Sequence, residues 1–125
     1  MDANGRLTGC RILVVEDEAV TAVMIEQTLK EAGCVVVDPV ATNRDALSLI
    51  ENETIDCAVL DLDLADGKAG PVAEALAKRG VRFVLATGYD SVAIGHQYSN
   101  APVVGKAFDL TELLDAVEDI VDRQP

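Results

Sequence analysis

The sequence predicts an α/β fold in which a mostly parallel sheet of five strands carries helices on both faces. Short apolar runs, which are typical of buried strands, alternate along the chain with stretches whose apolar residues recur every three or four positions. Half of the 125 residues are apolar, which is enough to build one hydrophobic core. Strict alternation of strand and helix favours parallel strands buried between two helical layers.

The first predicted strand, residues 11–15, is an apolar run that ends at acidic residues. The helix after it begins near Glu18 and ends at Gly33, a residue type that favours the position just after a helix. Residues 34–37 form the second strand, and Thr42 is placed to cap the second helix. The apolar face of the first helix comprises Ala22, Ile25, Leu29 and Ala32.

The third and fourth predicted strands, residues 56–60 and 81–86, flank the third helix. Pro71 suits the first turn of that helix, and Gly80 ends it. Residues 65–67 have the composition of a turn between the third strand and this helix.

A short fifth strand, residues 102–104, precedes the last helix. Asp109 and Glu112 have the spacing of a capping box at the start of this helix. Residues 91–101 contain only a short helical pattern, so we expect the fourth helix to be brief or mobile. The apolar face of the last helix comprises Leu110, Leu113, Leu114, Val117 and Val121.

The composition indicates an acidic, cytoplasmic, single-domain protein. We expect residues 1–9 to be a flexible N-terminal segment and residues 10–123 to form the domain, with no output domain. The formal net charge of −12 disfavours binding to nucleic acid or to anionic membranes. The chain has no apolar run near the ~18 residues of a membrane span, and no signal peptide is expected.

The three cysteines are Cys10, Cys34 and Cys57, and two of them lie in apolar runs. This context predicts small buried apolar residues in a reducing compartment. A metal site or a redox pair is the less favoured alternative, because the sequence contains no C-x-x-C spacing.

Polar residues follow four of the predicted strands, at the sheet edge where open α/β proteins place their reactive sites. Each one alone is explained as a turn residue, a helix cap or a solvated side chain, and the turn with Pro39 explains Asp38 after the second strand. Together they predict a site. They are Glu16, Asp17 and Glu18 after the first strand, Asp61 and Asp63 after the third, Thr87 after the fourth and Lys106 after the fifth.

The chemistry of these residues favours a divalent cation and a phosphoryl group. Carboxylates ~4 Å apart repel each other by roughly 1 kcal/mol in water and by about 4 kcal/mol at an effective dielectric constant of 20. Either one of them is protonated or a cation lies between them. Oxygen ligands without His or Cys favour Mg²⁺ over Zn²⁺. A carboxylate can accept a phosphoryl group, and Lys106 and Thr87 supply an ammonium and a hydroxyl donor for it.

From residue 11 to about residue 122 the chain resembles the response-regulator receiver family. The resemblance rests on four ordered motifs: ILVVEDE from Ile12, AVLDLDLADG from Ala58, LATGYD from Leu85 and GKAFDLTEL from Gly105. Each motif is weak alone, and their order and spacing make the set specific. The resemblance implies a doubly wound sheet of strand order 2-1-3-4-5.

For the site, the resemblance implies that Asp61 accepts a phosphoryl group from a histidine kinase or a phosphotransfer protein. It also implies that Mg²⁺ is held by Asp17, Asp61 and the backbone carbonyl of Asp63, with Glu16 reaching it through water. Asp61 rather than Asp63 is the expected acceptor because it directly follows the apolar third strand.

The resemblance further implies a switch. Thr87 and Lys106 match the hydroxyl and lysine residues that move toward the phosphate. Their movement changes the surface of the fourth helix, fifth strand and last helix, which meets a downstream protein target.

Three positions depart from the family pattern. Ala107 stands where the family usually has a cis proline, and a trans bond is preferred there by ~3 kcal/mol, so the aim of Lys106 is open. Val103 replaces the usual aromatic switch residue. Tyr89 is the third position: the stretch ATGY that it ends resembles a subgroup of single-domain, CheY-like receivers with a tyrosine in the loop after strand four. We expect Tyr89 or Tyr98 to take over part of the switching, with plain surface exposure as the alternative for each.

Several functional readings stay open at this point. The first is a stand-alone receiver that signals by binding another protein, with no activity beyond its own phosphoryl acceptance and loss. The second is a phosphate sink or shuttle in a relay. Less favoured are a pseudo-receiver and a small haloacid-dehalogenase-type phosphohydrolase, whose D-x-D pair Asp61 and Asp63 resemble. The acidic last helix disfavours self-pairing, so we expect a monomer.

Overall fold

A computed structural model describes residues 7–87, 103–105 and 110–122 of the chain. Strands and helices alternate in these ranges as predicted, with one additional short hairpin after the third strand. In chain order the elements are β1 (Arg11–Val15), α1 (Ala19–Glu31), β2 (Val35–Val40), α2 (Asn43–Asn52), β3 (Cys57–Leu60), β4 (Asp63–Leu64), β5 (Gly67–Lys68), α3 (Gly70–Lys78), β6 (Arg82–Thr87), β7 (Val103–Gly105) and α4 (Leu110–Asp122).

Five of these strands form one sheet in the order β2-β1-β3-β6-β7, and every neighbouring pair is parallel. The strands β4 and β5 pair only with each other, in an antiparallel hairpin. With this hairpin set aside, the order is the predicted 2-1-3-4-5. The strand order reverses between β1 and β3, and in such sheets this is where the carboxyl ends of the strands open a crevice.

The side chains of β1 divide the hydrophobic core into two layers because successive residues of a strand point to opposite faces. Ile12 and Val14 pack in a cluster with residues of α1 and α4. Leu13 and Val15 pack in a second cluster with residues of α2 and α3. All four are fully buried. Helices therefore cover both faces of the sheet, which confirms the predicted fold class.

The predicted helix ends are confirmed where the structure describes them. Gly33 follows α1 with a φ of 99°. Thr42 Oγ1 accepts a hydrogen bond of 3.1 Å from the backbone N–H of Asp45 and caps α2. Pro71 lies in the first turn of α3, and Gly80 follows this helix with a φ of 71°. The predicted capping residue Asp109 and the predicted fourth helix within residues 91–101 lie outside the described residues.

The second strand is longer than predicted. It continues through Asp38 and Pro39 to Val40, so the prediction that these two residues end the strand is wrong. The strand lies at the edge of the sheet, where a proline without an N–H is tolerated. Its register against β1 shifts between Leu13 and Val15, and this bulge absorbs the extra residue next to Pro39.

Residues 7–9 belong to the packed structure, although residues 1–9 were expected to be flexible. Leu7 is fully buried in the core layer beneath α1 and α4. The N–H of Gly9 donates to the carbonyl of Gly33 over 2.9 Å. A single leucine among polar residues has no periodicity, so the sequence pattern does not predict its burial. Residues 1–6 lie outside the described ranges.

Gly33→Ala is expected to destabilise the protein more than Gly80→Ala. A left-handed backbone conformation costs a non-glycine residue about 1–2 kcal/mol, and both positions have positive φ. At Gly33 an added Cβ would also lie 2.9 Å from Thr8 Oγ1 and 3.1 Å from Thr8 Cα, whereas at Gly80 it would meet nothing within 4 Å. Urea unfolding followed by far-UV circular dichroism measures both losses. Equal losses of unfolding free energy in the two variants would contradict the prediction, because they would mean that Thr8 moves away from the added Cβ at no cost.

Helix length also bears on the membrane prediction. Among the described residues, no helix combines the length and the apolar character that are required to cross a membrane.

Candidate functional site

Three carboxylates meet at the carboxyl ends of β1 and β3. Glu16 and Asp17 follow β1, Asp61 follows β3, and one oxygen of each lies within 4.8 Å of the others. They converge because the two strands are neighbours whose last residues, Val15 and Leu60, are paired. This arrangement confirms that acids from the first and third strands come together.

The backbone of these acids continues the hydrogen-bond ladder of the sheet. The N–H of Asp61 donates to the carbonyl of Val15 over 2.9 Å. The N–H of Glu16 donates to the carbonyl of Val40 over 2.9 Å, across to the edge strand β2. The hydrogen bonds of the sheet therefore fix the backbone positions from which the side chains of Glu16 and Asp61 extend.

The cluster concentrates negative charge in a partly desolvated place. Glu16 and Asp61 are each only 3% exposed, whereas Asp17 is exposed. The N–H of Glu18 donates to Glu16 Oε2 over 3.0 Å and holds that side chain. Ionised carboxylates ~5 Å apart repel each other by roughly 1 kcal/mol even in water, so a divalent cation is favoured between them.

The donor atoms of this cluster suit a hard cation. All three ligands are carboxylate oxygens, and among the described residues no histidine or cysteine joins the group. Mg²⁺ prefers a small number of carboxylates together with waters and phosphate oxygens, whereas Zn²⁺ prefers nitrogen and sulfur ligands. The residues present therefore fit Mg²⁺.

Asp63 approaches the cluster through its backbone. Its N–H donates to Asp61 Oδ1 over 3.2 Å. Its carboxylate forms an ion pair with Lys68 Nζ, the residue opposite it in the β4–β5 hairpin. The side chain of Asp63 is thus paired away from the three carboxylates, and the predicted role of its carbonyl stays a prediction.

Sequence analysis missed Lys68. This lysine is exposed, and its pKa is raised by the hydrogen bond to Asp63 and by the negative charges of Asp63 and Asp61. Its effect on the cluster is therefore electrostatic. The available signal was one base in an otherwise acidic stretch after the third strand, but only the hairpin register brings it back toward Asp63.

A second missed contact ties the loop after β3 to the start of α2. Asp66 Oδ1 accepts a hydrogen bond of 2.8 Å from the N–H of Asn43, and Oδ2 accepts one of 3.2 Å from the N–H of Arg44. The side-chain amide of Asn43 also donates to the carbonyl of Lys68 over 2.9 Å. Asp66 therefore serves as a second cap of α2, supplied from a distant turn.

These hydrogen bonds change the titration of Asp66. The N–H of Asn43 is the largest cause, and it lowers the pKa of this carboxyl. Because the pKa is lower in the folded state, the contribution of Asp66 to stability is present at neutral pH. It is lost as the pH falls through the lowered value.

The remaining predicted residues are described only in part. Thr87 is the last residue of β6 and pairs with Gly105, and Val103 begins β7 opposite Leu85. The side chains of Thr87 and Val103 lie outside the described part of the structure. The predictions for Lys106, Ala107, Tyr89 and Tyr98 likewise fall on residues outside the described ranges.

Comparisons with known proteins agree with this architecture. The response regulator receiver domain family matches residues 12–118. A CheY-like receiver domain protein from Methanospirillum hungatei JF-1 has a solved structure that is 25% identical, with a TM-score of 0.82 over 92% of this chain and 95% of that chain. The solution structure of SdrG from Sphingomonas melonis Fr1 is 39% identical, with a TM-score of 0.76 over 90% of this chain and 94% of that chain.

A curated relative matches over a shorter stretch. The transcriptional regulatory protein TcrA of Mycobacterium tuberculosis is 42% identical over 62 residues, which are 50% of this chain and 24% of that protein. The match thus spans about a quarter of the length of this relative.

Proposed function

Because the chain belongs to the response-regulator receiver family, we propose that it accepts a phosphoryl group on Asp61 in a Mg²⁺-dependent reaction. Receivers act in two-component signalling, so the donor is a histidine kinase or a phosphotransfer protein. One observation carries the proposal: Asp61 lies with Glu16 and Asp17 in a cluster whose oxygens are within 4.8 Å of one another.

The surroundings of Asp61 suit a nucleophilic carboxylate. Its Oδ1 accepts the N–H of Asp63, which fixes the orientation of the carboxyl plane. Attack by a carboxylate oxygen on the phosphorus of a phosphohistidine breaks the phosphorus–nitrogen bond and gives an aspartyl phosphate. Burial of Asp61 at the strand end limits access to a donor that enters over the carboxyl edge of the sheet.

The metal ligands follow from the same cluster. Asp17 and Asp61 would hold Mg²⁺ directly, and Glu16 would reach it through water. Mg²⁺, when bound, neutralises charge on the phosphoryl oxygens. The carbonyl of Asp63 remains the fourth proposed contribution from the protein.

The output of this receiver belongs to the same proposal. Thr87 and Lys106 would respond to the phosphate, with Tyr89 or Tyr98 taking part in the switch. The surface that includes β7 and α4 would then bind a downstream protein, or the chain would pass on its phosphoryl group as a sink or shuttle. In this proposal the chain catalyses only its own phosphorylation and dephosphorylation, and it does not turn over an external substrate.

The phosphohydrolase alternative is not favoured by the topology. Its D-x-D pair normally follows the first strand, whereas Asp61 and Asp63 follow the third strand. A phosphate monoester offered as substrate should therefore be left intact.

Intact mass spectrometry with Mg²⁺ and acetyl phosphate tests the proposed function. Wild type should gain one phosphoryl group, and chelation of Mg²⁺ with EDTA should prevent the gain. Asp61→Asn should gain none, whereas the matched control Asp63→Asn should still react because its carboxylate is paired with Lys68. Equal phosphorylation of Asp61→Asn and wild type would overturn the assignment of Asp61.

Lys68→Ala is expected to tighten Mg²⁺ binding a few-fold. The change removes a cation whose charge interacts with Asp61 and releases the carboxylate of Asp63. Because the pair is exposed, salt should weaken the effect. Thermal unfolding in a Mg²⁺ titration measures the affinity.

The control for this prediction is Lys30→Ala. Lys30 also pairs with an acid, Glu26 at 3.1 Å, but it lies in the last turn of α1, far along the helix from the cluster. The same Mg²⁺ affinity in both variants would contradict an electrostatic role for Lys68.

A further inference from the structure

All three cysteines of the chain meet at the end of the sheet opposite the carboxylates. Cys10 precedes β1, Cys34 precedes β2 and Cys57 is the first residue of β3. Since β1 lies between β2 and β3, Cys10 is the middle member of the group. All three are buried free thiols, which confirms the predicted burial, whereas their proximity has no sequence signal.

Two of the thiols are in direct contact. Cys10 Sγ and Cys57 Sγ are 3.4 Å apart, although the residues are 47 positions apart in sequence. Ile12 pairs with Cys57 across β1 and β3, so Cys10 lies two residues further along the same face. A disulfide requires about 2.0 Å between the sulfurs, so the remaining approach must come from side-chain rotation together with a shift of the backbone at Cys10, which precedes β1.

Cys34 is the second neighbour of Cys10. Hydrogen bonds from the thiols of Cys34 and Cys57 lower the pKa of Cys10, against the opposing effect of burial. The same contacts raise the pKa of Cys34 and of Cys57. Cys10 is thus the middle sulfur, with a neighbouring thiol on each side, and these contacts favour its thiolate, which is the reactive form.

A short turn of residues 7–9 directly precedes Cys10. Thr8 and Gly9 in this turn are exposed, and Cys10 itself is 9% exposed. Two backbone hydrogen bonds hold the turn. The N–H of Cys10 donates to the carbonyl of Leu7 over 3.0 Å, and the N–H of Gly9 donates to the carbonyl of Gly33 over 2.9 Å.

We propose that Cys10 and Cys57 are a redox pair that hydrogen peroxide oxidises to an intramolecular disulfide. The Cys10 thiolate attacks one peroxide oxygen, the O–O bond breaks, and the departing oxygen leaves as water after protonation. The sulfur of Cys57 then attacks the sulfenic acid on Cys10, the S–O bond breaks and a second water leaves. Two thiols and one peroxide thus yield one disulfide and two waters, with two electrons passing from sulfur to oxygen.

Contact between the two sulfurs determines the product. A sulfenic acid on Cys10 has a thiol beside it, so it condenses before a second peroxide can reach it. Attack by Cys34, the other neighbour of Cys10, would instead leave Cys57 reduced, so the thiol that stays free identifies the pair.

Alkylation with N-ethylmaleimide after treatment with hydrogen peroxide tests the pair. Wild type that is denatured in the reagent should carry three adducts before oxidation and one afterwards, with the remaining adduct on Cys34 in a peptide map. Dithiothreitol should restore three adducts. No phosphoryl donor is used, so the result is independent of the proposed function.

Cys34→Ser is the matched variant, since it removes the third thiol and leaves the pair. It should carry two adducts before oxidation and none afterwards, on a chain that remains monomeric in a non-reducing gel. Three adducts on oxidised wild type would overturn the proposal. So would a disulfide between two chains, or sulfinic acid on Cys10 in place of a disulfide. The peptide map of wild type distinguishes these three outcomes from the expected disulfide, so the test does not depend on the folding of a variant.

Discussion

Asp17→Asn is expected to stabilise the metal-free protein by about 1 kcal/mol and to weaken Mg²⁺ binding at least tenfold. In wild type three carboxylates with oxygens within 4.8 Å of one another share one sheet edge, and two of them are almost fully buried. Removing the charge of Asp17 relieves part of their repulsion. The same change deletes an anionic ligand that a cation needs.

Thermal unfolding with and without Mg²⁺ separates these two effects. Wild type should melt at a higher temperature as Mg²⁺ is added, because an ion that binds only the folded state stabilises it. The Asp17→Asn variant should have a higher melting temperature than wild type without Mg²⁺, and that temperature should rise little as Mg²⁺ is added. The control is Glu74→Gln, which removes one charge from an exposed position on α3 and should leave the Mg²⁺ response unchanged. A metal-free variant less stable than wild type would contradict the repulsion argument.

Leu60→Ala should reduce the free energy of unfolding by about 2–5 kcal/mol, the range for a leucine removed from a rigid core. Leu60 is fully buried in the layer between the sheet and the helices α2 and α3, and it directly precedes Asp61. The truncation leaves a cavity that neighbours on a paired strand cannot close. Small domains are stable by only about 5–15 kcal/mol, so this loss is a large share of the total.

Urea unfolding measures the loss, and Leu60→Met provides the volume-matched control. Methionine fills the same space, so it should cost less than about 1.5 kcal/mol. If Leu60→Ala reduced the free energy of unfolding as little as the exposed-site change Val20→Ala, the prediction would be wrong. The neighbours of β3 would then have moved in to fill the cavity. Val20 is 72% exposed and is expected to change stability by less than about 0.5 kcal/mol.

The fold could be predicted because its main signals are periodic and local. Successive residues of β1, such as Ile12 and Leu13, enter opposite core layers, and the apolar run already indicates a strand buried on both faces. The burial of Leu7 and the place of Pro39 within β2 differ from the prediction because neither has a periodic signal. A lone buried leucine has no period, and a proline within an edge strand has the same local pattern as a proline that ends one.

The site likewise has one part that the sequence predicts and one part that it does not. Convergence of Glu16, Asp17 and Asp61 follows from the backbone, since neighbouring parallel strands deliver their next residues to one edge. Side-chain pairing does not follow. The hairpin that brings Lys68 to Asp63 contains two residues in each strand, which is too short for any repeating pattern. The contact of Cys10 with Cys57 likewise depends on strand register over a long sequence separation.

The ladder bonds of Glu16 and Asp61 have a consequence for kinetics. Each N–H is held by a carbonyl of the adjacent strand, so the main chain beneath the carboxylates is already in place before a cation arrives. Loading and release of an ion would then involve rotation of the carboxylate side chains and the exchange of water, without rearrangement of the main chain at Glu16 and Asp61. The residence time of the ion should accordingly be set by its own hydration shell.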